Sequence, residues 1–382
     1  MKVAVLGYGT VGVGVCDMLR EAQGLELGPV LVRPGKDDEA FKVTSIEQIV
    51  NDPSVSAVAE VMGGLEPAFT YVSAALKAGK HVVTSNKALV AAHGPELAAL
   101  AAESGVDFLF SAACGGAVPF LHNLALAVES DRILSVGGIL NGTTNFMLDS
   151  MQRRGMDYAD ALAEAQKLGY AEADPTADVS GLDALRKIML ACAVAFDQLP
   201  DDGFCLEGIE SVTAADVKHF QSRGLVCRLL VRGGMSESGK LYAFVQPALV
   251  SANAPEASVL FNFNMAKYEG ENAGAILLMG QGAGRYPTAS AVLRDLSDIL
   301  HGRRVMMSAD CPRVCADNSV WLARYYVRLP EGCASALPFA QSESDGAVVR
   351  GITEPIPVSQ MHAVAAEIRK AGDKLFFAAL ED

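Results

Sequence analysis

Nowhere in its 382 residues does this chain hold an apolar run long enough to span a bilayer. Nor does it gather lysines and arginines into a cluster. With 31 basic against 45 acidic residues and a formal charge of -14, it offers little to a nucleic acid, whose binding rests on neutralised phosphates. No membrane and no nucleic-acid partner is expected. The eight cysteines (16, 114, 192, 205, 227, 311, 315 and 333) are scattered, several in apolar patterns where a thiol behaves as a small hydrophobe, so a disulfide framework is not expected. Cys311 and Cys315 lack a nearby His or second Cys pair to complete a zinc site. The opening Met1-Lys-Val-Ala-Val-Leu-Gly7 reaches a glycine turn too early for a signal peptide. A cytoplasmic location is expected.

What is present is the composition of an ordered globular enzyme, 51% hydrophobic and 20% charged. The length allows two or more domains. Strand patterns at 3–6, 30–32, 57–61, 81–84 and 107–110 alternate with helical stretches at 67–78 and 94–103. That alternation implies an α/β, doubly wound parallel sheet over 1–131. Helical patterns at 158–168, 182–196 and 214–222, with strands at 132–140, 227–231 and 240–250, imply an α+β domain over 132–284. A helix from 288 to 300 reads as packing back on the first domain, to which 285–308 is assigned. Residues 309–382 form a tail with strand patterns at 321–329, 346–352 and 375–380 and a helix at 358–371.

Gly7-Tyr8-Gly9-Thr10-Val11-Gly12 lies directly after a strand and opens a helix. In that setting Gly7 permits the tight turn, Gly9 lets the backbone approach a pyrophosphate, and Gly12 allows close helix packing. The second strand ends Leu31-Val-Arg33-Pro-Gly-Lys36 rather than on an acidic residue. Arg33 suits a 2′-phosphate, which favours NADP over NAD, though an exposed loop arginine is also often just solvated. Lys87, in Thr84-Ser-Asn-Lys87, follows a strand's carboxyl end, where ligands of open α/β sheets bind; an ordinary helix-start lysine is the plainer reading.

The densest fixed charge lies between residues 165 and 187: Glu172, Asp174, Asp178, Asp183 and Lys187. Ser180 with Asp183 three residues on fits a helix cap, and Asp183 with Lys187 fits a surface i,i+4 ion pair. The apolar neighbours Leu182, Leu185, Ile188, Met189 and Ala193 favour a half-buried pair with tuned ionisation.

Ala165-x-x-x-Gly169-Tyr-Ala-Glu172-x-Asp174-Pro175-x-x-Asp178-Val-x-Gly181-x-Asp183-x-x-x-Lys187 closely resembles the signature segment of homoserine dehydrogenases. The glycine turn, Glu60-Val-Met-Gly63-Gly-Leu-Glu-Pro67, Ser85-Asn-Lys87-Ala-Leu89, Asn141-Gly142-Thr143-Thr-Asn-Phe146, Glu207-Gly-Ile209 and Gly282-Ala-Gly284-Arg-Tyr-Pro-Thr-Ala-Ser290 agree with that family in order, over roughly residues 1 to 308. The resemblance implies interconversion of L-homoserine and L-aspartate 4-semialdehyde with NADP or NAD, in a homodimer built through the middle domain. By family position Lys187 is the proton donor, Glu172 and Asp183 bind the substrate's amino and hydroxyl end, and Lys87 and Asp178 share the pocket. Tyr170, Asn141, Gly142 and Thr143 fall on the substrate side. The glycine turn, Arg33, Gly63, Ser85, Lys87, Gly169 and Gly284 fall on the cofactor side. A lysine titrates near ~10.4 when free, so proton transfer from Lys187 needs burial or a neighbouring cation; otherwise Lys187 acts electrostatically and Lys87 or water delivers the proton.

Two segments depart from the family. Its cation-binding loop, which holds sodium through backbone carbonyls and an acidic residue, stands here as Ser111-Ala-Ala-Cys114-Gly-Gly116-Ala-Val118-Pro119, with Ser111 in the acidic place. The tail resembles a shortened ACT-like unit, with 330–345 expected to lack a helix and a strand, and threonine feedback of the usual kind is not expected. Two other readings stay open. Cys114, in a glycine-rich loop, is a conceivable nucleophile of a semialdehyde dehydrogenase. A non-catalytic NADP-binding regulator on the same fold is the other.

Overall fold

The computed structural model describes residues 1–302 and 306–381; residues 303–305 of the expected 285–308 segment, and Asp382, fall outside them. Cα packing divides the chain into Met1–Ile133, Met189–Leu199 and Tyr268–Arg313 as one unit, and Leu134–Ile188, Pro200–Lys267 and Val314–Asp382 as the other.

In the first unit, runs of Val, Ala and Leu too short for helices form β1 (Lys2–Leu6), β2 (Glu26–Leu31), β3 (Lys42–Val43), β4 (Val55–Glu60), β5 (His81–Thr84) and β6 (Phe108–Leu109). They pair in parallel in the order β3-β2-β1-β4-β5-β6, the dinucleotide-binding order. The apolar residues of β1 are fully buried because helices cover both faces of such a sheet. The helix expected at 94–103 starts earlier and runs Lys87–Glu103. Pro95 marks no start, because the Asn86 side chain caps the helix two turns before it. Helix Arg285–Leu300 packs on helix Thr10–Glu21, where Gly14 lies against Arg285 and Ala289.

The second unit is built on β7 (Ile133–Ile139), β8 (Cys205–Leu206), β9 (Leu225–Met235), β10 (Leu241–Ser251), β11 (Phe263–Gly270), β12 (Tyr325–Pro330), β13 (Phe339–Ser344), β14 (Val348–Thr353) and β15 (Phe376–Leu380). Its sheet runs β11-β7-β9-β10-β15-β12-β14-β13, with β8 beside β10. The tail thus continues the sheet: β15 pairs in parallel with β10 through Ala248↔Ala379 and Leu249↔Leu380. Tyr325 and Phe377 join Phe244 and Tyr242 in one buried cluster. The tail is less abbreviated than expected. Within 330–345, where no strand was expected, strand β13 is present after the 3-10 turn Glu331–Ala336. A strand reading of 321–329 breaks at Arg324 into Leu322–Ala323 and β12.

Candidate active site

The glycine turn has the geometry a pyrophosphate needs. Gly7 has φ +103°, and a Cβ on Gly12 would lie 2.1 Å from the Gly7 carbonyl oxygen, so no side chain fits there. Above Gly9 lies open space, and Thr10 and Val11 begin the helix whose N-terminal amides attract anions. Gly7, Tyr8 and Gly9 line a cleft of about 640 Å³ with Arg33, Lys36, Lys42, Met62, Gly63 and Tyr71. Lys42 pairs with Asp38 and Glu39, both at 2.7 Å, and sits 4.8 Å from the Tyr8 ring centroid. Its ammonium is held above the usual lysine range by the hydrogen bonds to Asp38 and then Glu39. Of these cations the sequence pointed only to Arg33, because Lys36 and Lys42 become neighbours through the loop before β3.

The carboxyl ends of β4 and β5 are stitched together. Thr84 Oγ1 donates to buried Glu60 Oε2 (2.5 Å), Glu60 Oε1 accepts from Met62 N (2.8 Å) and Gly63 N (3.3 Å), and Asn86 Nδ2 donates to the Gly64 carbonyl (2.6 Å). Burial raises the Glu60 carboxyl pKa, with Thr84 opposing. This fixes Gly63 and Ser85 and sets Lys87 at the first turn of its helix. Gly284, with φ +127°, precedes helix Arg285–Leu300.

The second unit holds the polar cluster. Lys187, only 8% exposed, pairs through Nζ with Asp183 Oδ2 at 2.8 Å and donates to the Leu140 carbonyl at 2.5 Å. The surface-pair reading is excluded. Asn141 bridges two carboxylates, its Nδ2 donating to Asp178 Oδ1 (2.7 Å) and Asp183 Oδ2 (2.9 Å) while its Oδ1 caps helix Gly142–Arg154 by accepting from Thr144 N (2.8 Å). Thr143 Oγ1 lies within hydrogen-bond reach of the Tyr170 carbonyl (2.6 Å) and Asp178 Oδ2 (3.2 Å). Burial raises the Asp178 carboxyl pKa, with the Asn141 hydrogen bond opposing it and the Asp183 charge adding to it. Gly142 is set by packing: a Cβ there would lie 2.6 Å from the Asn262 carbonyl oxygen.

The same segment holds residues the cluster does not include. Glu172 is exposed, and among the described residues no hydrogen bond ties its side chain to the cluster. Asp174 serves its own turn, accepting from Thr176 Oγ1 (2.6 Å) and Thr176 N (3.1 Å). Gly169, with φ +75°, follows helix Tyr158–Lys167 in this unit.

In the loop expected to hold a monovalent cation, Ser111 and the Val118 carbonyl already have hydrogen-bond partners. Ser111 Oγ is hydrogen-bonded to buried Asp295, whose Oδ2 accepts from Ser111 N (2.8 Å), and burial pushes that carboxyl up to about 7. The Val118 carbonyl accepts from Phe120 N (2.8 Å), and the Ala117 carbonyl lies 3.4 Å from the Arg294 guanidinium. Cys114 in the same loop is fully buried, a setting that disfavours a thiolate nucleophile.

A dinucleotide-binding sheet order, a glycine turn over an open cleft and a buried lysine–carboxylate cluster define a nicotinamide-dependent oxidoreductase. Residues 7–111 match the NAD-binding domain of homoserine dehydrogenase and residues 119–297 match homoserine dehydrogenase itself. The chain belongs to the homoserine dehydrogenase family. It is 44% identical to a homoserine dehydrogenase of Corynebacterium glutamicum over 315 residues, 77% of this chain and 70% of the relative. The crystal structure of a homoserine dehydrogenase from Thiobacillus denitrificans superposes with a TM-score of 0.87 at 33% identity, covering 100% of this chain and 98% of the other. A hyperthermophilic archaeal homoserine dehydrogenase in complex with NADPH gives 0.69 at 25% identity, covering 80% and 99%. The reaction is the NAD(P)-dependent interconversion of L-homoserine and L-aspartate 4-semialdehyde, in the biosynthesis of threonine, methionine and isoleucine. Among the described residues no helix is long and apolar enough to cross a membrane.

Proposed function

We propose that Lys187 gives its proton to the aldehyde oxygen during reduction and that Asp183 holds the substrate's hydroxyl end. The observation that carries this is the Lys187 ammonium fixed by two partners, Asp183 and the Leu140 carbonyl. A bound nicotinamide supplies hydride, and negative charge then builds on the carbonyl oxygen, where a preset proton donor lowers the barrier. Asp178 and Glu172 take the substrate ammonium, Glu172 from its exposed position by closing over bound substrate. Asn141 holds Asp178 and Asp183 together by donating to both, Gly142, Thr143 and Tyr170 shape the wall, and Lys87 adds positive charge.

On the cofactor side, residues 7–12 take the pyrophosphate, and Gly63, Ser85, Lys87, Gly169 and Gly284 complete the site. NADP is preferred over NAD, supported by Arg33, Lys36 and Lys42 around one cleft and by the NADPH bound to the archaeal relative. No monovalent cation is required. Residues 1–131 with 285–308 serve the cofactor, 132–284 serve catalysis and dimerisation, and 309–382 form an ACT-like tail. Dimerisation is supported by strand Gly274–Gln281, which alternates half-buried and exposed positions and leaves Leu277 and Met279 39% and 59% exposed. Eight free cysteines suit the reducing cytoplasm.

The test is oxidation of L-homoserine with NADP and NAD, followed by absorbance, for the wild type and Lys187→Ala. The expected loss is at least ~100-fold in kcat, the low end for a positioned acid–base group. Near-wild-type turnover by the variant would remove Lys187 from the chemistry.

A further inference from the structure

The second unit contains an ion pair, with its carboxylate buried and its guanidinium exposed, that the reaction does not use. Glu207, 7% exposed, receives both guanidinium nitrogens of Arg369, Nη1 to Oε2 at 2.7 Å and Nη2 to Oε1 at 2.6 Å. Arg369 belongs to the last turn of the tail helix Val358–Lys370. Glu207 leaves β8 at the point where its N–H bonds to the Val245 carbonyl (2.8 Å). Burial raises its carboxyl pKa, and Arg369 is the group that opposes this.

The residues after Glu207 lie directly behind the polar cluster. Ile209 N donates to the Val179 carbonyl at 2.9 Å, and a Cβ on Gly208 would lie 2.1 Å from that same oxygen. Gly181 N donates to the Asp178 carbonyl (3.0 Å), while a Cβ on Gly181 would meet Leu206 Cδ1 at 3.0 Å and Val245 Cγ1 at 3.1 Å. The backbone that carries Asp178 and enters the helix of Asp183 is therefore braced by 206–209, with no slack for even one methyl group. Losing Arg369 would leave Glu207 buried without its cation, and the chain around it would have to move to hydrate or protonate it.

We propose that Arg369 is a positioning residue for the reaction: through Glu207 the tail braces residues 206–209 against 178–181 and so sets the spacing of Asp178 and Asp183. The proposal rests on the reading of those two carboxylates as the substrate end of the site. It makes the tail part of the substrate machinery rather than an appendage. Its effect falls on the substrate, because the residues it braces carry Asp178 and lead into the helix of Asp183.

Steady-state kinetics of the full-length chain test it with Arg369→Met, Arg369→Lys, the double variant Glu207→Gln with Arg369→Met, and Asp178→Asn. Arg369→Met is expected to raise KM for L-homoserine roughly tenfold with KM for NADP unchanged, the scale of a displacement of about an ångström or less. Arg369→Lys should recover part of the loss. The double variant, which buries no unpaired charge, keeps the question open to measurement if Arg369→Met folds poorly, and should still show the raised KM. A folded Arg369→Met or double variant with wild-type KM, differing only in thermal stability, overturns the proposal. If Asp178→Asn also leaves KM unaltered, the reading of the site fails with it; if Asp178→Asn raises KM and the arginine variants do not, the brace alone fails.

Discussion

The first unit encloses Asp295 and the second encloses Asp183, and the two settings treat a carboxylate differently. Among the described residues the hydrogen bonds to Asp295 come from Ser111 Oγ and the amides of Ser111 and Ala112, and the Asp298 charge stands nearby. Around Asp183 there is an ammonium and a side-chain amide. Donors without a countercharge do not offset full burial, and the Asp295 carboxyl rises to about 7. Asp183 instead faces the opposite charge of Lys187 at 2.8 Å. The first arrangement secures a loop; the second sets opposite charges side by side.

The comparison breaks most visibly at Asn141. Replacing it with Ala removes a group that donates to both Asp178 and Asp183, and roughly a tenfold to hundredfold fall in kcat/KM for L-homoserine is expected, the scale of hydrogen bonds to charged groups. Unchanged kcat/KM would show that the two carboxylates need no bridge.

A thermodynamic measurement sharpens the other side. Asp295 binds its proton in the folded state up to about 7, whereas the ordinary value is 3.8. Between those values the folded state holds one more proton than the unfolded, so stability contributed by this group is complete at low pH and falls as pH rises, by about 1.4 kcal/mol per unit at most. Urea midpoints from pH 5 to 7 should therefore decline in the wild type relative to Asp295→Asn. Parallel profiles would mean that Asp295 is ionised throughout.

The smallest effect concerns the loop that Asp295 secures. Exchanging sodium for potassium or for a bulky organic cation, at constant chloride, should change kcat by less than about twofold, within general salt screening. Strong activation by sodium would show that the carbonyls of Cys114, Gly116 and Val118 bind it in spite of Ser111.

The sequence made the sheet of the first unit and the charged segment legible for the same reason. Each is local: the glycine turn needs only residues 7–12, and Asp183 with Lys187 needs one helical turn. Asn141 came from the resemblance alone, since its bridge to Asp178 and Asp183 spans 37 and 42 positions. Asp295 and Arg369 carried no local signal, because their partners Ser111 and Glu207 lie 184 and 162 positions away. Strands Phe263–Gly270 and Gly274–Gln281 were overlooked, although the second alternates in exposure; its Ala-Ile-Leu-Leu-Met run hides that alternation when only hydrophobicity is read. Glu172 was given a substrate role by motif position, and its side chain is exposed in the second unit.

The cleft around Arg33, Lys36 and Lys42 has a kinetic consequence. Lys42 is paired with Asp38 and Glu39, which leaves Arg33 and Lys36 as local positive charges on a chain whose formal charge is -14, so an approaching anionic dinucleotide is repelled at long range and attracted at short range. Added salt weakens the distant repulsion first, since its range is cut to the Debye length of about 8 Å at physiological ionic strength. The two fields act in opposition on the encounter rate, and cofactor capture is buffered against changes in ionic strength that would slow a purely attractive site.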